Sequence, residues 1–531
     1  MSSTKKKIAV IGGGFAGLGS VASLKEIGCF EPVCFEKTSS YGGTWCYREN
    51  AYEGVPSIMP TTIINHSKEM GAFSTYPPRK EFNNFMRHHE LLKYVSEYGA
   101  DRDLLRHVQF NTEAMQVKRS DDYEKSGKWV VTVRNTQTGK VNTDVYDGVI
   151  ISVGHINRPK MPTYFGQSTF KGEIMHTHSL RGVQSFQHKT VIVVGMGCSG
   201  LDAAVETSRV AKQVYLSTRS GAHVLNRVGP NGYPYDYILL RGYLMALMYI
   251  FPATFLSWIL ETFYLDQQFN HKLYPVKPKY HLLQKDPSIN DHIMSKILSG
   301  SVIMKPDIKC FTENGVIFED DSEVIEADVV IMATGYTWKF PFLEEGIIVQ
   351  EEGKINLYKC MFPPHLPHAS LLFIGFLLPY GPGFPPGELQ CRWAAQVLAG
   401  NCKLPSQEVM FNDIKQRYET NLKRYAPSDK MSLRVDMVPY CNDIASQFGV
   451  KPNLLNVLLT DPILFYKLVF GPFLPYQFRL QGPYSWDGAR DAIMTAEKRM
   501  LYPLTKGKSD GINEKMYIKF IKMIVRFIFQ W

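Results

Sequence analysis

Two glycine-rich segments have the composition and spacing needed to hold a phosphate-containing cofactor. Residues 12–17 read GGGFAG and residues 195–200 read GMGCSG, so both contain the pattern Gly-x-Gly-x-x-Gly. Each follows an apolar run typical of a buried strand and precedes a stretch typical of a helix. In such a unit the glycines allow a tight turn and a close approach to a pyrophosphate at the positive end of the helix. The predicted contacts are Gly12, Gly14 and Gly17 in the first segment and Gly195, Gly197 and Gly200 in the second.

The charge of one residue distinguishes the two segments. Glu36 and Arg219 lie at the same distance after the last glycine of their motifs, each at the end of a predicted second strand. A carboxylate accepts hydrogen bonds from free ribose hydroxyls and repels a 2′-phosphate, whereas a guanidinium binds that phosphate. Glu36 therefore favours FAD or NAD, and Arg219 favours NADP, with Ser217 and Thr218 as further phosphate contacts. The pair predicts a tightly held flavin and an NADPH that reduces it, and argues against two chance glycine clusters.

Small residues elsewhere support the flavin assignment. GGTW at 42–45 follows Glu36 closely, so Gly43 and Trp45 are predicted to approach the flavin nucleotide; an ordinary glycine turn is the alternative. EADVVIMATGY at 326–336 has the pattern of a buried strand that ends in small residues. We expect this strand to return to the first domain, where Thr334 and Gly335 would contact FAD.

These motifs require an α/β fold with two Rossmann-like dinucleotide-binding domains, the NADPH domain being inserted in the FAD domain. The FAD-binding domain is predicted to comprise residues 1–160 and 326–445, and the NADPH-binding domain residues 161–325. Within the latter, a segment at about residues 238–265 is predicted to form an excursion that contacts a membrane. A helical, apolar region is expected over 446–504, followed by a linker and an amphipathic membrane tail over 505–531.

Composition narrows the classes of protein. Of the 531 residues, 45% are hydrophobic and 21% are charged, which is enough apolar material for two or more folded domains. The net charge of +9 suits a phosphate-rich cofactor or anionic lipid, and no feature indicates nucleic-acid binding. Nine cysteines without a Cys-x-x-Cys pair predict neither a disulfide framework nor a zinc site and favour a reducing, cytosol-facing environment. MSSTKKK runs directly into the first strand, without the apolar core of a signal peptide.

Three apolar segments indicate membrane contact. In 515–531, the basic residues Lys515, Lys519, Lys522 and Arg526 form one stripe on a helix that is too short and too charged to span a bilayer. This tail is predicted to lie at the membrane surface, with docking on the protein itself as the alternative. Residues 242–260 lack charge, but Pro252 predicts two short helical pieces, either interfacial or buried. A weaker apolar segment spans 453–476.

Beyond these patterns, the sequence resembles the animal flavin-containing monooxygenases, of the microsomal dimethylaniline monooxygenase type, from about residue 5 to about residue 500. The resemblance rests on both glycine motifs, on FEKTSSYGGTW, STRSG, NGYPYD, ATGY and FGPFLPYQFRLQGPYSW, and on an F-x-G-x-x-x-H spacing. Phe170, Gly172 and His176 match that spacing. Leu180 and Cys198 depart from the family, which commonly has an aromatic residue and an asparagine there.

The resemblance implies a mechanism. NADPH reduces FAD, the reduced flavin reacts with O2 to form a C4a-hydroperoxide, and this oxygenates soft nitrogen or sulfur nucleophiles of lipophilic amines and thioethers, including xenobiotics. The protein holds the oxidant, excludes water and keeps NADP+ in place. The family also implies the cytosolic face of the endoplasmic reticulum membrane, and an oligomer is compatible with the sequence.

Asn65 is the predicted catalytic residue. NHSKEM at 65–70 matches the family segment in which an asparagine amide projects toward the flavin and the nicotinamide. Such an amide supplies both a donor and an acceptor. Asn65-His66-Ser67 also fits a glycosylation sequon, which conflicts with a cytosolic location, and Asn65 could instead cap a following helix.

Other functions remain as alternatives. A disulfide reductase would use the same modules but needs a redox cysteine pair, and Cys46 has no such partner. A Baeyer-Villiger monooxygenase would convert ketones to esters. An uncoupled NADPH oxidase or a non-catalytic membrane nucleotide-binding protein would turn over no substrate. The histidines at 176–178 are better interpreted as strand or turn than as metal ligands, and we predict no metal site.

Overall fold

Two parallel sheets of five strands organise the computed structural model, which describes residues 5–319, 321–351 and 354–505. The sheet that leads into the first glycine loop is called the first sheet. Its central strand, Lys6–Ile11, ends at that loop, and the helix Phe15–Ile27 follows. In spatial order the strands of the first sheet are Leu371–Phe373, Gly148–Ile151, Lys6–Ile11, Phe30–Phe35 and Val108–Gln109.

The second sheet repeats this arrangement around the second glycine loop. Its central strand, Thr190–Val194, ends at the loop, and the helix Cys198–Thr207 follows. In spatial order its strands are Val302–Lys305, Gln213–Ser217, Thr190–Val194, Val329–Met332 and Glu173–His176. All neighbours in both sheets pair in parallel, as expected for dinucleotide-binding units.

Each parallel sheet is buried on both faces, which explains why its strands are apolar without alternation. In the first sheet, Ile8 and Val10 pack with the helix Phe15–Ile27, whereas Ala9 and Ile11 pack against a three-stranded antiparallel sheet. The second sheet is layered in the same way. The antiparallel strands are Thr112–Arg119, Trp129–Asn135 and Val141–Tyr146 beside the first sheet, and Ile308–Phe311, Gly315–Phe318 and Ile325–Glu326 beside the second.

The chain returns to the first sheet later than predicted. Strand Val329–Met332 is expected from the sequence to re-enter the first domain, but it lies in the second sheet and pairs with Thr190–Val194. The return occurs at Leu371–Phe373, which pairs with Gly148–Ile151 of the first sheet. The predicted boundary at 325/326 is therefore wrong. A buried apolar strand fits either sheet, so its sequence pattern does not specify its partner.

The remaining strands form two-stranded ladders, and the remaining helices surround the two sheets. The ladders pair Arg158–Pro159 with Tyr336–Thr337, Val224–Leu225 with Ser288–Ile289, Gln350–Glu351 with Lys354–Ile355, and Leu378–Tyr380 with Arg434–Asp436. The other α-helices outside the apolar segments are His88–Asp101, Tyr123–Ser126, Tyr235–Leu239, Ile293–Leu298, Phe384–Ala399, Gln407–Arg424, Met437–Gln447 and Ala489–Thr505.

The apolar segment 242–260 folds as two short helices, Gly242–Ile250 and Ala253–Leu260, which confirms the break predicted at Pro252. A π-helical turn, Glu261–Leu265, and the short helix Asp266–Gln268 continue from them. Over the residues that the structure describes, no helix is both long and apolar enough to cross a bilayer.

The segment 453–476 contains the helices Leu454–Thr460 and Pro462–Phe470, which lie beside the excursion. Tyr243 and Phe470 approach with ring centroids 5.6 Å apart, and the Arg241 guanidinium donates to the Phe470 carbonyl at 3.1 Å. The two apolar segments therefore form one surface. The basic tail predicted at 515–531 lies outside the described residues.

Candidate active site

A cleft of about 620 Å³ opens at the carboxyl ends of the strands of the first sheet. Ligands of open parallel sheets bind at this edge. Gly12, Gly14, Glu36, Gly43 and Trp45, all predicted to contact FAD, line the cleft together.

The first glycine loop meets the steric demands of a pyrophosphate cradle. Gly12 has a φ of +105°, and a Cβ there would lie 2.8 Å from the Ser152 carbonyl oxygen. A Cβ on Gly17 would lie 1.9 Å from the Gly12 carbonyl oxygen, so any side chain would separate the helix from the strand. Gly14 has no such conflict, since its nearest neighbour is the backbone of Gly43 at 3.5 Å. The side of Gly14 left open is where a phosphate needs access to the backbone, so the loop fits FAD.

Glu36 is held at the end of its strand by the loop itself. Its side chain is buried, and Oε2 accepts a hydrogen bond from the Gly13 N–H at 2.7 Å. Oε1 accepts from the backbone N–H and the hydroxyl of Thr38 at 2.9 and 2.7 Å. Each carboxylate oxygen has further acceptor capacity for the ribose hydroxyls of an adenine nucleotide.

The second glycine loop has the same steric pattern. Gly195 has a φ of +111°, and a Cβ there would lie 2.5 Å from the Ala333 carbonyl oxygen. A Cβ on Gly200 would lie 1.9 Å from the Gly195 carbonyl oxygen. A Cβ on Gly197 would meet no atom within 4 Å, so this backbone is open to a ligand. The loop thus fits a second pyrophosphate.

Among the strand-end residues of the second sheet, Arg219 differs from its neighbours. It is exposed and makes no hydrogen bond or ion pair with the described residues, so its guanidinium is free to receive a phosphate. Ser217 is buried and its hydroxyl donates to the Pro306 carbonyl at 2.7 Å. The Thr218 hydroxyl accepts from the Gly221 N–H at 3.0 Å and shapes the turn. Ser217 therefore supports the strand end from inside.

Asn65 lies between the two units. Its amide Nδ2 donates to the Cys198 sulfur, in the second glycine loop, at 3.5 Å. Its Oδ1 accepts from the Arg227 guanidinium at 2.7 Å, which determines the direction in which the amide points. No helix begins here, because a bend at residues 65–66 leads to a turn at 68–71, and helix capping is therefore not its role.

His66 is buried beside Asn65 and is packed tightly. Its ring lies 5.1 Å from that of Phe384, and the ring atoms occupy the space where a Cβ of Gly71 would stand. Burial lowers the pKa of His66 to about 4, so the imidazole is neutral at physiological pH. A neutral, enclosed ring fills space beside the cleft.

Three residues of the second domain that the sequence patterns did not identify hold the Asn65 segment. They are Arg227, Tyr235 and Asp236. Arg227 is buried, pairs with Asp291 at 2.8 Å, and donates to the Ile64 carbonyl at 3.2 Å. The sequence signal for Tyr235 and Asp236 was the motif NGYPYD, which contains both residues and is part of the family resemblance.

Thr334 and Gly335 do not line the cleft of the first sheet. They follow strand Val329–Met332 of the second sheet, and the Thr334 hydroxyl donates to the Lys160 carbonyl. The Lys160 N–H in turn donates to the Gly335 carbonyl at 2.9 Å. Both residues thus brace the link between the two sheets, and their predicted contact with FAD is a consequence of the wrong strand assignment. Over the described parts of the chain, no cluster of three or more potential ligands could hold a metal ion.

Comparisons with known proteins agree with this geometry. The model of the family described as FMO-like, flavin-binding monooxygenase-like, matches residues 5–530. The chain is 43% identical over 502 residues to flavin-containing monooxygenase 5 of Rattus norvegicus, covering 94% of this chain and 93% of that protein. It is 39% identical over 501 residues to dimethylaniline monooxygenase (N-oxide-forming) 2 of the same species, with coverage of 94% and 93%.

Solved structures show the same fold. The S-allyl-L-cysteine S-oxygenase of Allium sativum is similar with a TM-score of 0.65 at 22% identity, covering 94% of this chain and 99% of that one. The cyclohexanone monooxygenase of Rhodococcus sp. Phi1, bound to NADP+, is similar with a TM-score of 0.58 at 18% identity, covering 84% and 97%. The two glycine loops and the match along nearly the whole chain thus have one explanation: the chain belongs to the flavin-binding monooxygenase-like family, and it is an NADPH-dependent flavin monooxygenase with FAD and NADPH as cofactors.

Proposed function

We propose that this enzyme uses NADPH and O2 to oxygenate soft nitrogen and sulfur nucleophiles of lipophilic amines and thioethers, forming N-oxides and S-oxides. The observation that carries the proposal is the position of Asn65, between two dinucleotide cradles whose strand ends have opposite charge. Bound FAD supplies the oxygen chemistry. The residues of the chain bind the two nucleotides, orient them and exclude water.

The flavin nucleotide occupies the cleft of the first sheet. The backbone of the first glycine loop receives the pyrophosphate, and Glu36 receives the ribose hydroxyls. Gly43 and Trp45 line the same cleft, with Gly43 packed against Gly14, and would contact the nucleotide there. Burial of Glu36 and its contacts with the loop backbone support this assignment, because the carboxylate is held in place before the cofactor binds.

The NADPH site lies at the second glycine loop. Gly195, Gly197 and Gly200 receive the pyrophosphate, and Arg219 binds the 2′-phosphate, with Thr218 beside it. Exposure of Arg219 and its lack of a partner among the described residues support this role, since a surface guanidinium without a carboxylate is available to a mobile cofactor.

Asn65 is proposed as the catalytic residue. Its Oδ1 is engaged by Arg227, and Nδ2 is directed toward the second glycine loop. Sulfur is a weak hydrogen-bond acceptor, so the contact with Cys198 leaves the Nδ2 donor available to a better acceptor on a bound nucleotide. A donor held in this way stabilises negative charge without reorganisation.

We also propose that the enzyme lies on the cytosolic face of the endoplasmic reticulum membrane. Large apolar side chains are exposed in both the excursion and the adjacent helices: Trp258 is 52% exposed, Leu455 74% and Leu459 83%. Exposed apolar patches that are contiguous mark interaction surfaces, and a lipid surface is the partner that suits two short helices better than a protein groove. Lipophilic substrates would then reach the enzyme from the bilayer.

The test uses the full-length enzyme purified in detergent. With NADPH and 18O2, N,N-dimethylaniline and a dialkyl thioether should yield an N-oxide and a sulfoxide that each contain one labelled oxygen. Asn65→Ala should lower the ratio of product to hydrogen peroxide at least severalfold, whereas Asn83→Ala, a matched change at an exposed asparagine, should leave it unchanged.

Two outcomes would overturn the proposal. Conversion of cyclohexanone to its lactone without formation of oxides would make the enzyme a Baeyer-Villiger monooxygenase. Release of one hydrogen peroxide per NADPH with every substrate would make it an oxidase. Membrane binding is tested separately by flotation with phosphatidylcholine vesicles, and retention of the protein in the soluble fraction would refute that part.

A further inference from the structure

The segment 63–67 of the first domain, termed the seam segment, is held by hydrogen bonds from the second domain at each of its carbonyls from Ile63 to Asn65. The Arg227 guanidinium donates to the carbonyls of Ile63 and Ile64 at 3.3 and 3.2 Å. The Tyr235 hydroxyl donates to the Asn65 carbonyl at 2.8 Å. These contacts fix the chain up to Asn65 itself.

Beyond Asn65, the anchor is Asp236. Its Oδ2 accepts from the Ser67 N–H at 2.6 Å, the shortest of the contacts to the seam segment. Its Oδ1 accepts from the Tyr237 N–H at 2.9 Å, a local contact within its own helix. Of the two oxygens of the Asp236 carboxylate, only Oδ2 therefore contacts the first domain.

The Asp236 carboxylate is in an environment that is costly for a charge. Its side chain is fully buried, and no ion pair connects it to a cation of the described residues. Burial raises the pKa of Asp236 to about 6. Burying a carboxylate without a cation costs free energy, and the hydrogen bonds from the Ser67 and Tyr237 N–H groups offset part of that cost.

We propose that Asp236 is a positioning residue for Asn65: it anchors the backbone two residues beyond the amide and so transmits the position of the second domain to the amide. This inference rests on the proposed function. Tyr235 anchors the carbonyl of Asn65 itself, and Asp236 anchors the Ser67 N–H two residues later. With both in place, the backbone at residues 65–67 is held, and the contact of Arg227 with Oδ1 then orients Nδ2.

The position of Asp236 also explains how the two domains act together. The helix Tyr235–Leu239 that carries it belongs to the polypeptide inserted in the first domain, which also carries Cys198 and the second glycine loop. A shift of this domain relative to the first would move Ser67 through Asp236 and move the acceptor of the Asn65 amide at the same time. Asn65 thereby keeps its orientation toward the second glycine loop.

The test compares Asp236→Asn with wild type. Asparagine has the same shape but one acceptor oxygen, so either the Ser67 or the Tyr237 N–H would face an NH2 donor. Tyr235→Phe removes the other anchor and keeps the ring. Asp413→Asn serves as the matched control, because it removes a partly buried carboxylate that pairs with Lys359 far from the seam segment.

The first measurement is amide hydrogen exchange over residues 62–70, with and without NADP+. We expect exchange to become about tenfold faster in Asp236→Asn and in Tyr235→Phe and to be unchanged in Asp413→Asn. The second is the fraction of NADPH electrons released as hydrogen peroxide. This fraction should rise severalfold in both seam variants, while FAD content and the KM for NADPH stay within twofold of wild type.

The outcomes separate the two proposals. Unchanged exchange and an unchanged peroxide fraction in Asp236→Asn would overturn the positioning role, as would equal effects in Asp413→Asn. Exchange does not depend on turnover, so a wild-type enzyme that forms no oxide would refute the proposed function, and the exchange data would still decide whether Asp236 anchors the segment.

Discussion

The two glycine loops have the same backbone geometry. In the first, Gly12 has a φ of +105°, and a Cβ on Gly17 would lie 1.9 Å from a carbonyl oxygen. In the second, Gly195 has a φ of +111°, and a Cβ on Gly200 would also lie 1.9 Å from a carbonyl oxygen. The strand ends differ. Glu36 is buried and bonded to its own loop, whereas Arg219 is exposed and without a hydrogen-bond partner among the described residues.

The comparison separates what a nucleotide cradle requires from what selects the nucleotide. Backbone sterics are common to both loops, because any pyrophosphate needs the same approach. The side chain that meets the ribose differs in exposure as well as in charge. A buried, pre-bonded carboxylate suits a cofactor that stays bound, whereas an open guanidinium suits one that exchanges during turnover. Substitutions in the two loops and at the second strand end test this difference.

The largest effects are expected from the loop glycines. Gly17→Ala should abolish FAD binding, whereas Gly200→Ala should keep FAD bound and slow flavin reduction by NADPH at least 100-fold, because each Cβ forces its helix away from the strand. Flavin absorbance and anaerobic reduction kinetics measure the two effects. Gly99→Ala is the control, since its Cβ meets only ordinary contacts in a helix, 3.7 Å away at the nearest. If Gly200→Ala also lost FAD, the loops would not be independent.

Arg219→Gln should raise the KM for NADPH roughly tenfold to hundredfold, because a charge-assisted contact with the 2′-phosphate is lost. The KM for NADH, which lacks this phosphate, should change less than twofold. Steady-state kinetics with both nucleotides give the ratio. Arg209→Gln is the matched control, because Arg209 follows the helix Cys198–Thr207 and pairs with Glu206. Equal losses for NADH and NADPH would contradict the assignment.

Asp202 predicts a pH-dependent stability for the second unit that the first unit lacks. Two residues after the last glycine, the first loop has Gly19 and the second has Asp202, whose pKa burial raises to about 6. Because the pKa of Asp202 is higher in the folded state than in the unfolded state, its protonated form stabilises the fold. This contribution to the free energy of unfolding is complete below about pH 4 and is lost as the pH rises through 6. Asp202→Asn should remove this loss, so its free energy of unfolding relative to wild type should increase by about 2 kcal/mol between pH 4 and pH 8.

Chemical unfolding of the second domain at several pH values measures this difference. Asparagine retains the acceptor for the Asn290 amide, which donates to Oδ1 of Asp202 at 2.8 Å, so the variant changes charge with little change in contacts. Asp487→Asn, an exposed carboxylate, is the control. A relative stability that is the same at pH 4 and pH 8 would show that Asp202 ionises without cost.

The smallest effect is expected from Cys198→Asn. Sulfur is a weak acceptor for the Asn65 amide at 3.5 Å, and an amide carbonyl would hold it more firmly. A firmly held amide is less available to the bound nucleotide, so two to threefold more hydrogen peroxide per product is the expected result, on the order of 0.5 kcal/mol. Cys402→Asn, at a partly exposed cysteine outside both loops, is the control. A decrease in peroxide release would instead show that the Asn65 amide acts best when it is held firmly.

Short-range spacing was sufficient to predict the strand, loop and helix around each glycine motif. Strand, glycine loop, helix and strand-end residue all lie within one βαβ unit, so their relative positions follow from local geometry, and Gly12, Gly14 and Glu36 meet in one cleft as predicted. The break at Pro252 was predictable for the same reason, because proline disrupts a helix where it stands.

Long-range pairing was not predictable from the same patterns. Strand Val329–Met332 belongs to the second sheet, and Thr334 therefore does not line the cleft of the first sheet. The apolar pattern of a buried strand does not specify which strand it pairs with. Asn65 and Asp236 are 171 positions apart in the chain. The sequence by itself determined the two glycine loops and their strand ends, through local backbone geometry; only the tertiary structure decided how Asn65 is held between the two domains, since those contacts exist only after both domains have packed.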